Sequence, residues 1–172
     1  MIGPAGARAA YDIVFLDRDG TINVREEGGY VAAAESVVLL PGAGEAIARL
    51  NTAGIPVVVV TNQRGLATGR VTWEQFAAVS AALDVALAAH GAHLDHTAVC
   101  PHDHDSCNCR KPLDGLFRQV LAAEPWAQPE RCALVGDMPT DTAPARGLGM
   151  RALQLGVDVP DLAGAVEILL GG

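Results

Sequence analysis

The chain has 172 residues, 50% of them hydrophobic but only 4% aromatic, and a net charge of −8. That length suits one domain able to bury its own core, and no apolar run approaches the roughly 18 residues that span a bilayer. The acidic balance, with no Lys/Arg-rich segment, excludes a nucleic-acid or anionic-membrane partner, and Met1–Tyr11 lacks the apolar stretch of a secretory signal, so the expected compartment is the cytoplasm.

In chain order, Tyr11–Leu16 (YDIVFL) reads as a buried strand running into Asp17. Gly42–Asn51 reads as a helix closed by Gly54. Ile55–Val60 (IPVVVV) has the β-branched composition of a central parallel strand. Thr72–His90 is a long helix, with Thr72 and Gln75 at capping-box spacing and Gly91 at its end. Shorter strands are predicted at Thr97–Cys100, Ala133–Val135 and Ala152–Leu155, and helices at Leu113–Ala123, Thr140–Leu148 and Asp161–Leu170. This alternation predicts one Rossmann-like three-layer α/β/α domain, residues 1–172, around a parallel sheet. Ligands of such sheets lie beyond the carboxyl ends of the strands.

Three strand ends carry a matching set of polar residues. Asp17-Arg18-Asp19-Gly20-Thr21 offers two carboxylates two residues apart, with Gly20 permitting the chain to turn both toward a site. Such a pair suits Mg²⁺, although a D-x-D turn is also a common way to finish a strand. Thr61-Asn62-Gln63 can donate hydrogen bonds to phosphate oxygens. Asp137 follows Gly136 into a turn, and Asp141 lies in the first turn of the next helix, where either the helix dipole or a site would favour it. In an acidic chain, Arg110-Lys111 is the natural phosphate clamp. Each motif is common alone; four of them in order at successive strand ends and loops are not.

Cys100-Pro101-His102 and Cys107-Asn108-Cys109 form C-x-H-x4-C-x-C, three sulfurs and an imidazole that make a closed tetrahedral Zn²⁺ site. A closed site leaves no position for water and is structural. His104 reads as a solvent-exposed loop residue and Cys132 as a small core residue.

This combination resembles the haloacid dehalogenase superfamily of phosphatases, through D-x-D-G-T at 17–21, Thr61, Lys111 and G-D-x-x-x-D at 136–141. The resemblance covers roughly residues 11 to 157 and implies a phosphatase working through an aspartyl-phosphate. It implies Asp17 as nucleophile, Asp19 as general acid and then base, and Thr61 and Lys111 as stabilisers of the transferring phosphoryl group. Asp17, Asp137 and the backbone carbonyl of Asp19 would hold Mg²⁺.

The C-x-H…C-x-C-R-K-P segment is similar to one branch, the heptose bisphosphate phosphatases and the related histidinol-phosphate phosphatases, which lacks a cap domain. No insertion here is large enough to be a cap, and the 100–109 zinc loop would aim Arg110 and Lys111. The 15–23 segment, Gly29-Tyr30-Val31 and Val59–Gln63 favour the heptose enzymes, implying removal of the 7-phosphate from D-glycero-D-manno-heptose 1,7-bisphosphate by a monomer. In that family the Tyr30 loop contacts sugar and Arg110 recognises the distal phosphate, with Asn62 and Gln63 also at the substrate. The loop from Arg25 to Gly28 is longer than usual, Arg64 replaces a small residue and Met138 replaces a lysine. The short spacing from His102 to Cys107 points instead to the histidinol-phosphate enzymes. A small phosphorylated metabolite is the partner under either reading, and a non-catalytic zinc-stabilised binding domain is the alternative of another class.

Overall fold

Five apolar runs, each ending in polar turn residues, build the centre of the molecule. The computed structural model describes residues 1–6 and 9–171. The strands are β1 (Ile13–Leu16), β2 (Val57–Asn62), β3 (His96–Cys100), β4 (Cys132–Gly136) and β5 (Arg151–Gln154). They form one parallel sheet in the order β3-β2-β1-β4-β5. The helices are α1 (Ala43–Thr52), α2 (Arg64–Ala67), α3 (Trp73–Ala88), α4 (Gly115–Ala123), α5 (Pro139–Gly147) and α6 (Leu162–Leu169), with short 3-10 helices at Ala34–Ser36 and Pro129–Arg131.

Because side chains alternate along a strand, the sheet feeds two cores, one on each face. Val14, Leu16, Val57, Val59 and Val135 pack with Ile47 and Leu50 of α1, Leu83 and Leu87 of α3, and Val166 of α6. Ile13, Phe15, Val58, Val60 and Leu134 pack with Leu116, Phe117 and Val120 of α4 and Ala145 of α5. Phe15 and Phe117 meet edge to face, 5.3 Å between centroids. That geometry adds about 0.5–1.5 kcal/mol to the burial of the two rings. This is the expected three-layer α/β/α arrangement, and between β1 and β2 the described residues hold a loop, a 3-10 helix and α1 but no cap. No helix is long and apolar enough to cross a membrane among the described residues.

Most element ends shift by one or two residues from the sequence reading, and the second strand shifts at both ends. The second strand begins at Val57 rather than Ile55, because Pro56 has no N–H to give; only its carbonyl joins the ladder, accepting from Val14 at 3.0 Å. The same strand continues through Thr61 and Asn62, which pair with Val99 and Cys100. The capping box at Thr72 forms as read, with Thr72 Oγ1 accepting from the Gln75 N–H and Gln75 Oε1 from the Thr72 N–H.

Candidate active site

The sheet delivers Asp17 by its ladder: Leu16 pairs with Val135, and the Asp17 N–H donates to the Val135 carbonyl at 3.0 Å. The chain then folds back, with the Arg18 carbonyl accepting from the Ile22 N–H at 2.9 Å. Gly20 takes φ of +91°, and a Cβ there would collide with the Asp137 carboxylate. Glycine therefore lets the ends of β1 and β4 present their carboxylates side by side.

Lys111 is buried at the centre of the site. Its Nζ donates to Asp17 Oδ1 at 2.7 Å and to the Val60 carbonyl at 2.7 Å, and stands 2.8 Å from Asp141 Oδ1. Asp141 Oδ2 also accepts from the Met138 N–H at 3.0 Å, so this one residue both caps α5 and holds the lysine. Gly136 makes room for it, since a Cβ at that position would come within 2.5 Å of Asp141 Cβ. One ammonium cannot neutralise two buried carboxylates. Burial pushes the Asp17 carboxyl up to about 6, against the pull of Lys111 and with the charges of Asp141 and Asp19 adding to the rise. Burial opposes the charge on Lys111 as well, yet Asp17 and Asp141 keep its ammonium above the ordinary range. Removing one partner from such a buried set costs about 3–5 kcal/mol.

Asn62 lines the cavity, but both polar ends of its amide are engaged. Nδ2 donates to the Lys111 carbonyl at 2.9 Å and Oδ1 accepts from the Lys111 N–H at 3.0 Å. Gln63 Nε2 donates to Thr61 Oγ1 and to Asp19 Oδ2, each at 2.9 Å. With that lone pair occupied, the buried Thr61 hydroxyl keeps its own hydrogen to donate. Asp19 also accepts from Asn23 Nδ2 at 2.9 Å and Arg18 Nη2 at 2.9 Å, while the Arg18 guanidinium lies 5.6 Å from the Phe76 ring centroid. Burial would raise the Asp19 carboxyl, but Arg18, Asn23 and Gln63 together hold it below the ordinary value.

The carboxylates of Asp17, Asp137 and Asp141 each bring an oxygen within 4.8 Å of the others. The Asp19 carboxylate is turned away toward Arg18, and its backbone carbonyl faces Asp137 through Arg25. Arg25 Nη2 donates to that carbonyl at 2.9 Å and to Asp137 Oδ1 and Oδ2 at 2.9 and 2.8 Å. Burial raises the Asp137 carboxyl, Arg25 pulls it back and Asp141 adds to the rise. This donor set is all hard oxygen, attracts a cation, and fits Mg²⁺.

Around these groups lies a cavity of about 430 Å³ lined by Asp17, Asp19, Tyr30, Thr61, Arg110 and Lys111, among others. The residues singled out from the sequence at strand ends thus meet in one place, joined by Tyr30 from the loop after β1. Arg18, Arg25 and Arg70 were not singled out; Arg25 and Arg70 line the same cavity and Arg18 braces Asp19. Arg64 is turned toward the 100–109 loop, where it pairs with Asp103, and Met138 is an exposed part of the cavity rim.

The four residues of that loop also converge. Cys100 Sγ lies 3.6 Å from Cys107 Sγ and 3.3 Å from Cys109 Sγ, and His102 Nδ1 lies 3.7 Å from Cys100 Sγ and 3.2 Å from Cys109 Sγ. A disulfide requires sulfurs about 2.05 Å apart. A tetrahedron of ligands about 2.3 Å from Zn²⁺ has edges near 3.8 Å. The spacing fits a metal cluster. His104 is exposed, and Cys132 is buried on β4.

A parallel sheet with a carboxylate at the end of its central strand, a buried lysine, a facing pair of acidic residues and no cap among the described residues is the arrangement of an α/β hydrolase. The chain belongs to the haloacid dehalogenase-like hydrolase family, whose pattern matches residues 7–149. It is 40% identical over 115 residues to the D-glycero-beta-D-manno-heptose-1,7-bisphosphate 7-phosphatase of Yersinia pestis, spanning 62% of this chain and 60% of that protein. It is 35% identical over 161 residues to the D-glycero-alpha-D-manno-heptose-1,7-bisphosphate 7-phosphatase of Mycobacterium tuberculosis, spanning 92% and 79%. The crystal structure of D,D-heptose 1,7-bisphosphate phosphatase from B. bronchiseptica, complexed with magnesium and phosphate, superposes with a TM-score of 0.84. It is 32% identical, with 92% of this chain and 97% of that one covered.

Proposed function

We propose that the chain is a magnesium-dependent phosphatase that removes the 7-phosphate of D-glycero-D-manno-heptose 1,7-bisphosphate through an aspartyl-phosphate. The observation that carries this reading is Asp17, a buried carboxylate at the end of the central strand, held 2.7 Å from the buried Lys111. The activity of similar proteins supports the substrate.

Asp17 attacks phosphorus as the bond from phosphorus to the sugar oxygen breaks, and Asp19 gives its proton to that oxygen. A phosphate dianion arriving beside Asp19 raises its pKa, so the acid is armed by the substrate. In the second half, Asp19 takes a proton from water, the water oxygen bonds to phosphorus, and the bond to Asp17 breaks to release phosphate. Lys111 and the Thr61 hydroxyl stabilise the transferring group, with Gln63 orienting the hydroxyl and Asn62 the lysine. Mg²⁺, held by the Asp17 and Asp137 carboxylates and the Asp19 carbonyl, would neutralise phosphate charge. Zn²⁺ on Cys100, His102, Cys107 and Cys109 would be structural. Arg110 leads directly out of that cluster into the cavity, lines it together with Tyr30, and would take the distal phosphate.

The test is a panel of phosphorylated metabolites containing both anomers of the heptose bisphosphate beside histidinol phosphate. Heptose bisphosphate should be hydrolysed with the highest kcat/KM, and Asp17→Asn should form no phosphoenzyme. A preference for histidinol phosphate would overturn the substrate, and turnover by Asp17→Asn above a few per cent of wild type would overturn the nucleophile.

A further inference from the structure

Arg25 belongs to the exposed loop that follows β1, yet its guanidinium reaches back to the ends of two strands. Nη2 donates to the Asp19 carbonyl at 2.9 Å and to both oxygens of the Asp137 carboxylate at 2.9 and 2.8 Å, while Nε lies 3.3 Å from the same carbonyl. These are two of the three groups that the proposed function gives to magnesium. Mg²⁺ binds oxygen at about 2.0–2.1 Å and demands near-octahedral order, so it cannot share those lone pairs with a guanidinium bridging them. The two cations would also repel each other at contact distance.

We infer that Arg25 is a built-in counterion of the metal site, and that a divalent cation enters by displacing it. The inference rests on the magnesium-dependent reading above. The contact is one that can be broken: the Arg25 side chain is 44% exposed, and ion pairs of that exposure are weak. Displacement has a second consequence, because Arg25 shares its loop with Gly28, Gly29 and Tyr30, all of which line the cavity. Metal entry frees a guanidinium on the loop that faces the substrate. The metal and the loop are thereby linked, each able to change the affinity of the other for its partner.

The experiment is calorimetric titration of Mg²⁺ into wild type, Arg25→Ala and Arg70→Ala, without substrate, after treatment with EDTA and its removal. Arg70 is the control: it lines the same cavity and carries the same charge, and it is Arg25, not Arg70, that hydrogen-bonds the Asp19 carbonyl and Asp137. Arg25→Ala should bind Mg²⁺ about three- to fivefold more tightly than wild type, while Arg70→Ala stays within about twofold. Equal or weaker binding by Arg25→Ala overturns the inference, as does equal tightening in Arg70→Ala, which would make the effect one of net charge. A wild type that binds no Mg²⁺ at all overturns the magnesium-dependent function itself, a separate result.

Discussion

Asn62 grips the backbone of Lys111 at both ends, its amide donating to the carbonyl at 2.9 Å and accepting from the N–H at 3.0 Å. At the end of β2 this side chain does what another strand residue would do, and ties the loop after the cysteine cluster to the sheet. Lys111 is thus aimed by two anchors, the sheet through Asn62 and the cluster through Cys109.

Replacing Asn62 by Ala should therefore lower kcat more than it raises KM. Two hydrogen bonds worth about 0.5–1.5 kcal/mol each disappear, enough for a loss of about tenfold or more in kcat. Steady-state kinetics with the bisphosphate would show it; an increase in KM alone would mean that the amide serves the substrate directly.

Cys107→Ser separates the two anchors. The purified variant should lose the roughly one Zn²⁺ per chain expected of wild type. Lys111 keeps its hold on Asn62, while Arg110 has only the loop, so KM for the bisphosphate should rise by a larger factor than kcat falls. Elemental analysis with kinetics decides the matter. A wild type free of zinc, or kinetics unchanged in the variant, would refute a structural zinc site.

Arg110 and Arg70 line the cavity, and neither belongs to an ion pair among the described residues. Charge-assisted hydrogen bonds are worth about 1.5–3 kcal/mol, so Arg110→Ala should raise KM for the bisphosphate by about tenfold or more. The more exposed Arg70 should have a smaller effect in the same direction. Hydrolysis of p-nitrophenyl phosphate, which has no second phosphate, should be nearly unaffected in both variants. Equal losses on both substrates would place the two arginines at the reacting phosphate instead.

The raised Asp17 carboxyl also sets a pH dependence. Its ordinary value is 3.8 and burial lifts it to about 6, so between those values the folded protein carries a proton that an exposed aspartate would have lost. Mg²⁺ must displace that proton. Its affinity should be full above pH 6 and fall by about tenfold for each unit below, with proton uptake by buffer visible in calorimetry. Affinity constant from pH 7.5 down to 5 would contradict the assignment of Asp17 as a ligand.

The sheet was legible because its strands are uninterrupted apolar runs, and the site because Asp17, Thr61 and Asp137 leave those runs directly. The residues that escaped notice are of another kind. Arg18, Arg25 and Arg70 are basic residues in loops, and along the chain nothing separates one that braces Asp19 from one that faces water. Asp141 remained ambiguous because a cap and a lysine partner ask for the same side chain at the same position, and here it is both. Helix α2, four residues long, is too short to show a helical period. Asn62 looked like a donor to substrate because its partner, Lys111, is 49 residues away in sequence.

The cavity rim consists of exposed residues such as Glu26, Gly28, Arg70, Met138 and Thr140, with no second domain above it among the described residues. An acyl phosphate formed on the buried Asp17 would lie at the floor of a cavity whose mouth is open to solvent from the moment it appears. Its lifetime would then be governed by how quickly Asp19 activates a neighbouring water, not by the opening of a door. Such an arrangement suits hydrolysis over transfer to another alcohol, because the commonest acceptor is always at hand and nothing keeps it out.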